Sequence, residues 1–155
     1  AQAFFDPSEL TIARPEEVTS YEVGAKTQFM DRKITLNLAG FYYDYRNQQF
    51  INVDPVTAAQ TLLNIPKSRI YGGEMDLIIR PSRDLSVQAG LGLLSTRISQ
   101  GSVSGRNVVG NRLSNAPSVT ANISVDWTLL DGDAGKFSVH PTLAWQSSQF
   151  FEVVN

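Results

Sequence analysis

The sequence predicts an all-β fold, an antiparallel up-and-down meander of about six long strands that forms part of a transmembrane β-barrel. Apolar and polar residues alternate through long segments, which is the pattern of strands with two different faces. Tight turns alternate with long loops, as they do at the two rims of outer-membrane barrels. No run of about 18 apolar residues occurs, which excludes a transmembrane helix.

The first hairpin, residues 17–45, has two chemically different faces and arms long enough to cross a membrane. Its first arm has one apolar and one polar face: Tyr21, Val23, Ala25, Thr27 and Phe29 against Ser20, Glu22, Gly24, Lys26 and Gln28. Asp31 and Arg32 reverse the chain. The second arm sets Ile34, Leu36 and Leu38 against Thr35, Asn37 and Ala39, and ends in Tyr42, Tyr43 and Tyr45. Arms of about 13 residues exceed the usual soluble strand and suffice to cross a bilayer.

Two segments interrupt the alternation and are predicted to be long loops. Residues 46–67 contain the strand breakers Asn52, Asp54-Pro55 and Pro66, with a short helical turn predicted over residues 58–63. Residues 99–115 are rich in Gly, Ser and Asn. Residues 1–15 show little regular pattern, and Phe4, Phe5 and Asp6-Pro7 indicate an extracellular loop or the ragged end of a cut.

Four further strands follow from the same alternation. They are predicted over residues 68–80, 85–93, 118–127 and 137–146, with tight turns near Asp31, Ser82 and Gly132. Since tight turns occur at every second connection, they are expected at one rim and the long loops at the other.

Composition limits the possible functions. The net charge of -2 provides no basic surface for nucleic acid. The absence of cysteine excludes a disulfide framework and thiolate metal ligands, and His140 is the only histidine. The first ten residues lack a basic start and an apolar core, so an outer-membrane location requires a longer precursor.

Five short motifs, in order, resemble the barrel of TonB-dependent outer-membrane receptors. They are YEVGAK at residues 21–26, LNLAGFYYDY at 36–45, SRIYGGEMD at 68–76, DLSV at 84–87 and GNRLSNAP at 110–117. The resemblance covers residues 15–155. It implies a 22-stranded barrel around an N-terminal plug, located in the bacterial outer membrane, which imports scarce ligands such as ferric siderophores, haem or cobalamin. A TonB-type protein of the inner membrane supplies the energy.

The resemblance further implies that residues 1–155 are a partial barrel domain, without the plug, the TonB-contacting segment and the terminal strands. Its partners would be outer-membrane lipid, the plug, the TonB-type protein and a ferric siderophore or similar ligand. The chain is expected to be no enzyme, with no catalytic residues, no cofactor and no metal site.

Ligand contact is predicted where the second strand enters its long loop. Tyr43 and Tyr45, with Arg46, are expected to point inward and form part of an extracellular vestibule. The loops at residues 46–67 and 99–115 are the other expected ligand-facing parts. Polar-face charges are interpreted as solvated lumen groups: Glu22, Lys26, Glu74, Asp76 and Arg80.

Two other functions fit the pattern. One is a passive or structural outer-membrane barrel, which would have no plug. The other is a soluble antiparallel β-sandwich that binds a partner or a sugar through its loops, which would require a second sheet over the apolar face.

Overall fold

The computed structural model describes residues 13–53 and 60–155. In these residues the strands are β1 Glu17–Phe29, β2 Ile34–Val53, β3 Gln60–Ile79, β4 Leu85–Gln100, β5 Ser102–Val103, β6 Arg106–Asn107, β7 Val119–Gly132, β8 Gly135–Val139 and β9 Thr142–Gln146. The same residues contain no helix long and apolar enough to cross a membrane.

The strands form one antiparallel sheet in the order β1-β2-β3-β4-β7-β8, and β9 also pairs with β7. Strands β5 and β6 form a separate small hairpin within the connection from β4 to β7. The predicted antiparallel meander is therefore confirmed. Within the described residues β1 and β8 are the two edges of the main path, so the sheet is open.

The predicted loop over residues 46–67 is wrong for most of its length. Strand β2 continues to Val53 and β3 begins at Gln60, so the two strands pair far beyond the expected end of the hairpin. The helical turn predicted over residues 58–63 is also wrong from Gln60 onward. Residues 54–59 lie outside the described residues.

A change of face at Asn47 explains why the alternation failed in the sequence. Asn47 has a φ of 51°, a conformation that asparagine tolerates, and it lies across from Pro66, which has no N–H to donate. Ser68 and Ile65 are both fully buried on one side of the sheet although they are an odd number of residues apart. The strands therefore continue while their inward-facing positions shift by one residue.

The tight turns lie where they were predicted. Met30, Asp31 and Arg32 all have positive φ, and the Lys33 amide donates to the Met30 carbonyl at 3.0 Å. The next turn follows β3 at Pro81, and another joins β7 to β8 after Gly132. All three lie at the same rim of the sheet.

The predicted sixth strand is interrupted at His140 and Pro141, which separate β8 from β9. Both parts remain paired with β7, and the Val125 amide donates to the Pro141 carbonyl at 3.0 Å. The imidazole Nδ1 of His140 lies 2.8 Å from the Asp126 carboxylate on β7. Proline cannot donate to the sheet ladder, which accounts for the break.

The two faces of the sheet differ in chemistry. On one face apolar residues follow one another across strands, for example Leu38, Met75, Leu91 and Ala121 in one rung. Large apolar side chains on this face are exposed, including Val23 at 77% and Leu143 at 67%. The sandwich alternative requires a second sheet over this face, and within residues 13–53 and 60–155 no second sheet covers it. We call it the outward face.

The buried core lies on the opposite, inward face at the long-loop rim. Its members come from β3, β4, the β4–β7 connection and the C-terminal tail: Ile65, Ile98, Val103, Val108, Leu113, Ala116 and Val153. The small core therefore fixes the connection and the tail against the inner side of the sheet, where the candidate site begins.

Candidate functional site

An aromatic and acidic cavity lies on the inward face, just below the buried core. The rings of Phe41 and Tyr43 on β2 stack with centroids 5.2 Å apart. The Tyr43 hydroxyl donates a hydrogen bond of 2.8 Å to the Glu22 carboxylate on β1. Glu74 and Ile70 on β3, together with Leu94 on β4, complete a cavity of about 290 Å³. Strand alternation brings these residues together because each occupies an inward position of its own strand.

Tyr45 lies one inward position closer to the rim. Its hydroxyl donates to one carboxylate oxygen of Glu16 at 3.2 Å, while the other oxygen of Glu16 accepts the Gln49 amide. Glu16 therefore links β1 to the extended part of β2. The two tyrosines predicted to contact a ligand thus share the inward face. Tyr43 is held by Glu22 of β1, and Tyr45 is held by Glu16, the residue just before β1.

Arg46 is not on the face that was expected. In register it lies between Glu17 and Lys67, and it shares its face with Asp44, which forms an ion pair of 3.2 Å with Lys67. Neighbouring residues of a strand point to opposite faces, so Arg46 faces outward when Tyr45 faces inward. The structure brings Tyr43 and Tyr45 together and separates Arg46 from them.

The second predicted loop, residues 99–115, is anchored to β4. The Ile98 amide donates to the Asn111 carbonyl at 2.9 Å, and the Leu113 amide donates to the buried Thr96 hydroxyl at 3.0 Å. The predicted loop overlaps the last two residues of β4, Ser99 and Gln100, and includes the β5–β6 hairpin. Its apolar side chains Val103, Val108 and Leu113 belong to the buried core on the inward face. Alternation could not predict this docking, because Gly, Ser and Asn separate those apolar residues.

The C-terminal tail binds the same loop. The Asn111 side-chain amide donates to the Val153 carbonyl at 2.9 Å, and that of Asn155 donates to the Arg112 carbonyl at 3.0 Å. Between the tail and the end of β2 lies an open cleft of about 260 Å³, lined by Phe50, Ile51, Ser114, Phe151, Glu152, Val153 and Val154. Loop and tail together form a folded roof beside the aromatic and acidic cavity.

Replacing Thr96 by valine tests how this roof is held. Valine keeps the shape of threonine but leaves the Leu113 amide without its acceptor in a buried place, which costs about 1–3 kcal/mol. We expect faster hydrogen exchange at residues 108–116 with unchanged exchange in β1 and β2. Thr128→Val, in a part-buried hydroxyl pair with Ser138 near the opposite rim, is the control. Equal exchange at residues 108–116 in both variants would contradict this anchoring.

The polar groups of the inward face offer hydrogen-bond acceptors and aromatic surface. Among the residues that the structure describes, no group of three or more His, Asp or Glu side chains is placed to hold a metal ion. Phe41 and Glu16 were not singled out from the sequence. The register would have identified them, since Phe41 pairs with Glu22 and Glu16 precedes the first rung of the hairpin.

Comparison with known proteins identifies the fold. The sequence model of the family described as "TonB dependent receptor-like, beta-barrel" matches residues 4–153. The chain belongs to this family. It is thus a receptor segment of the outer membrane of Gram-negative bacteria and not an enzyme, as predicted from the motifs.

Individual proteins are similar to the chain in sequence or in fold. The probable TonB-dependent siderophore receptor PiuA of Acinetobacter baumannii is 27% identical over 122 residues, which are 74% of this chain and 15% of PiuA. The ferric yersiniabactin uptake receptor FyuA of Yersinia pestis superposes with a TM-score of 0.70 at 21% identity, over 89% of this chain and 20% of FyuA. The ferric preacinetobactin receptor BauA of Acinetobacter baumannii gives 0.67 at 17% identity, over 90% of this chain and 20% of BauA. The chain thus spans about a fifth or less of these proteins.

Proposed function

We propose that the chain is a section of the barrel wall of a receptor that imports ferric siderophores by energy-coupled transport. The plug and the TonB-contacting segment would be supplied by other parts of the receptor. The observation that carries the proposal is the family match over residues 4–153, together with the similarity to a probable siderophore receptor. The alternative of a passive barrel without a plug would need no energy, so the energy requirement is the property to test.

Within this section, the proposed ligand-facing residues are Tyr43 and Tyr45. Their support is geometric: both lie on the inward face near the long-loop rim, and Glu22 and Glu16 hold their hydroxyls. Tyr43 and Phe41 present stacked aromatic surface to the cavity, which suits the flat or ring-bearing parts of an organic chelator. Arg46 takes no part in this contact because it faces outward.

The test is uptake of radioactive iron by cells in which the receptor carrying this wall section is the sole siderophore receptor. A small panel of ferric siderophores is offered under iron limitation, with and without a protonophore. Energy-coupled import predicts saturable uptake of at least one ferric siderophore that stops when the protonophore is added. Uptake that continues in its presence would indicate the passive barrel instead.

Tyr43→Ala tests the ligand-facing assignment. Loss of a buried aromatic contact typically costs more than about 1 kcal/mol of binding, so we expect roughly tenfold weaker apparent affinity for the imported siderophore. Tyr42→Ala is the matched control, since it removes a tyrosine from the outward face of the same strand. An equal loss of apparent affinity in both variants would show that Tyr43 supports the structure of β2 and does not contact the ligand.

A further inference from the structure

A row of tyrosines ends the apolar ladder on the outward face. Tyr21, Tyr42 and Tyr71 lie directly opposite one another on β1, β2 and β3. Tyr21 is 66% exposed and Tyr71 51%. Tyrosines gather at membrane interfaces, where the ring sits at headgroup level. The row therefore marks the outer boundary of the lipid-facing band, at the rim with the long connections.

Charged residues replace apolar ones immediately above this row. The next rung on the outward face contains Asp44, Arg69 and Arg97, and the rung after it pairs Arg46 with Lys67. Each rung lies about 7 Å further along the strand. We call these five residues the headgroup patch; its four cations outnumber Asp44 and the neighbouring Glu17 of β1.

Arg69 and Arg97 are the unusual pair in the headgroup patch. They lie directly opposite each other on β3 and β4, and both are exposed. Asp44, the nearest acidic partner in register, forms its ion pair with Lys67. In residues 13–53 and 60–155 neither arginine has an ion pair. Like charges directly opposite one another destabilise a sheet. An anion bound between the two guanidinium groups would offset this repulsion.

We propose that the headgroup patch binds the phosphate groups of an outer-leaflet glycolipid, with Arg69 and Arg97 clamping one phosphate. The tyrosine row places the arginines at headgroup height. Guanidinium groups bind phosphate through paired hydrogen bonds, and two adjacent ones match a dianionic group. The inference depends on the outer-membrane location of the chain and not on which ligand the receptor imports.

The experiment is a titration of the purified receptor in neutral detergent with a bisphosphorylated, acylated glucosamine disaccharide, followed by native mass spectrometry. Each basic residue near an anionic membrane surface contributes about 1 kcal/mol, so the double variant R69Q/R97Q should bind roughly 30-fold more weakly. The control is R80Q/R83Q, which removes two exposed arginines at the opposite rim. The control should bind within twofold of the unchanged receptor.

Two further measurements separate a lipid site from its alternatives. The dephosphorylated glycolipid should bind the unchanged receptor as weakly as the intact glycolipid binds R69Q/R97Q. Inorganic phosphate at millimolar concentration should not displace the glycolipid. Displacement by inorganic phosphate would point to a site for soluble anions and overturn the proposal, as would equal weakening in R80Q/R83Q.

Measurements of thermal stability distinguish lipid binding from a purely structural role of the two arginines. In neutral detergent without glycolipid, R69Q/R97Q should unfold at the same temperature as the unchanged receptor or higher, because a like-charge contact is removed. Added glycolipid should raise the unfolding temperature of the unchanged receptor and leave that of R69Q/R97Q nearly constant. A double variant that is less stable without glycolipid would contradict the proposal.

Discussion

Leu91→Arg is expected to destabilise the membrane-inserted receptor by about 2–4 kcal/mol, the cost of arginine near the middle of a barrel's lipid face. Leu91 is the central outward residue of β4, midway between Leu85 and Arg97. It pairs with Met75 on β3 and with Ala121 on β7, so apolar neighbours surround it on both sides. An arginine there has no nearby polar surface that its charged end can reach.

The measurement is refolding of the receptor into neutral phospholipid vesicles, followed by the guanidinium midpoint of unfolding. Gln88→Arg is the control because Gln88 lies on the inward face of the same strand and is exposed. It adds the same charge to the aqueous side, where a change below about 0.5 kcal/mol is expected. Similar destabilisation by both variants would mean that the two faces have been assigned wrongly.

Gly72→Ala is expected to destabilise the sheet by about 3 kcal/mol, at the upper end of what overpacking costs. A Cβ at this position would lie 2.2 Å from the Leu93 carbonyl oxygen and 2.7 Å from the Phe41 ring. The ring can turn away, but the carbonyl belongs to the paired strand β4 and cannot move without breaking the ladder. Phe41 covers the space that the glycine leaves on the inward face.

Gly40→Ala is the matched control in the same refolding assay. A Cβ at Gly40 would meet nothing closer than 3.8 Å, so we expect a change within about 0.5 kcal/mol. Adding Phe41→Leu to Gly72→Ala should recover only part of the loss, because the backbone clash remains. Full recovery would show that the ring, and not the Leu93 carbonyl, is the obstacle.

The part of the fold that follows from strict alternation was predictable. The strand from Glu17 to Phe29 and its tight turn needed only the period of a strand and the turn residues after it. The continuation of β2 to Val53 was not, because the single left-handed residue Asn47 changes which side chains face inward. Periodicity detects a constant phase, and a change of phase looks like the end of a strand.

The candidate site was predictable in part for a related reason. Alternation places Tyr43 and Tyr45 on one face, and it already separates Arg46 from them. The hydrogen bond from Tyr43 to Glu22 could not be predicted, because it depends on the register between β1 and β2. The docking of residues 99–115 depends on a few apolar residues that meet Ile65 and Ile98 from distant parts of the chain.

The change of face at Asn47 also affects how the chain tolerates substitution over evolutionary time. Before Asn47, even-numbered positions of β2 face outward, and those from Ile34 to Tyr42 must remain acceptable to lipid. After Asn47, even-numbered positions such as Gln48 and Phe50 lie against the folded interior. The substitutions that this hairpin tolerates at even-numbered positions therefore differ on the two sides of Asn47. Glycine or aspartate can adopt the left-handed conformation at position 47, whereas a β-branched residue would be strained there and would disfavour the change of face.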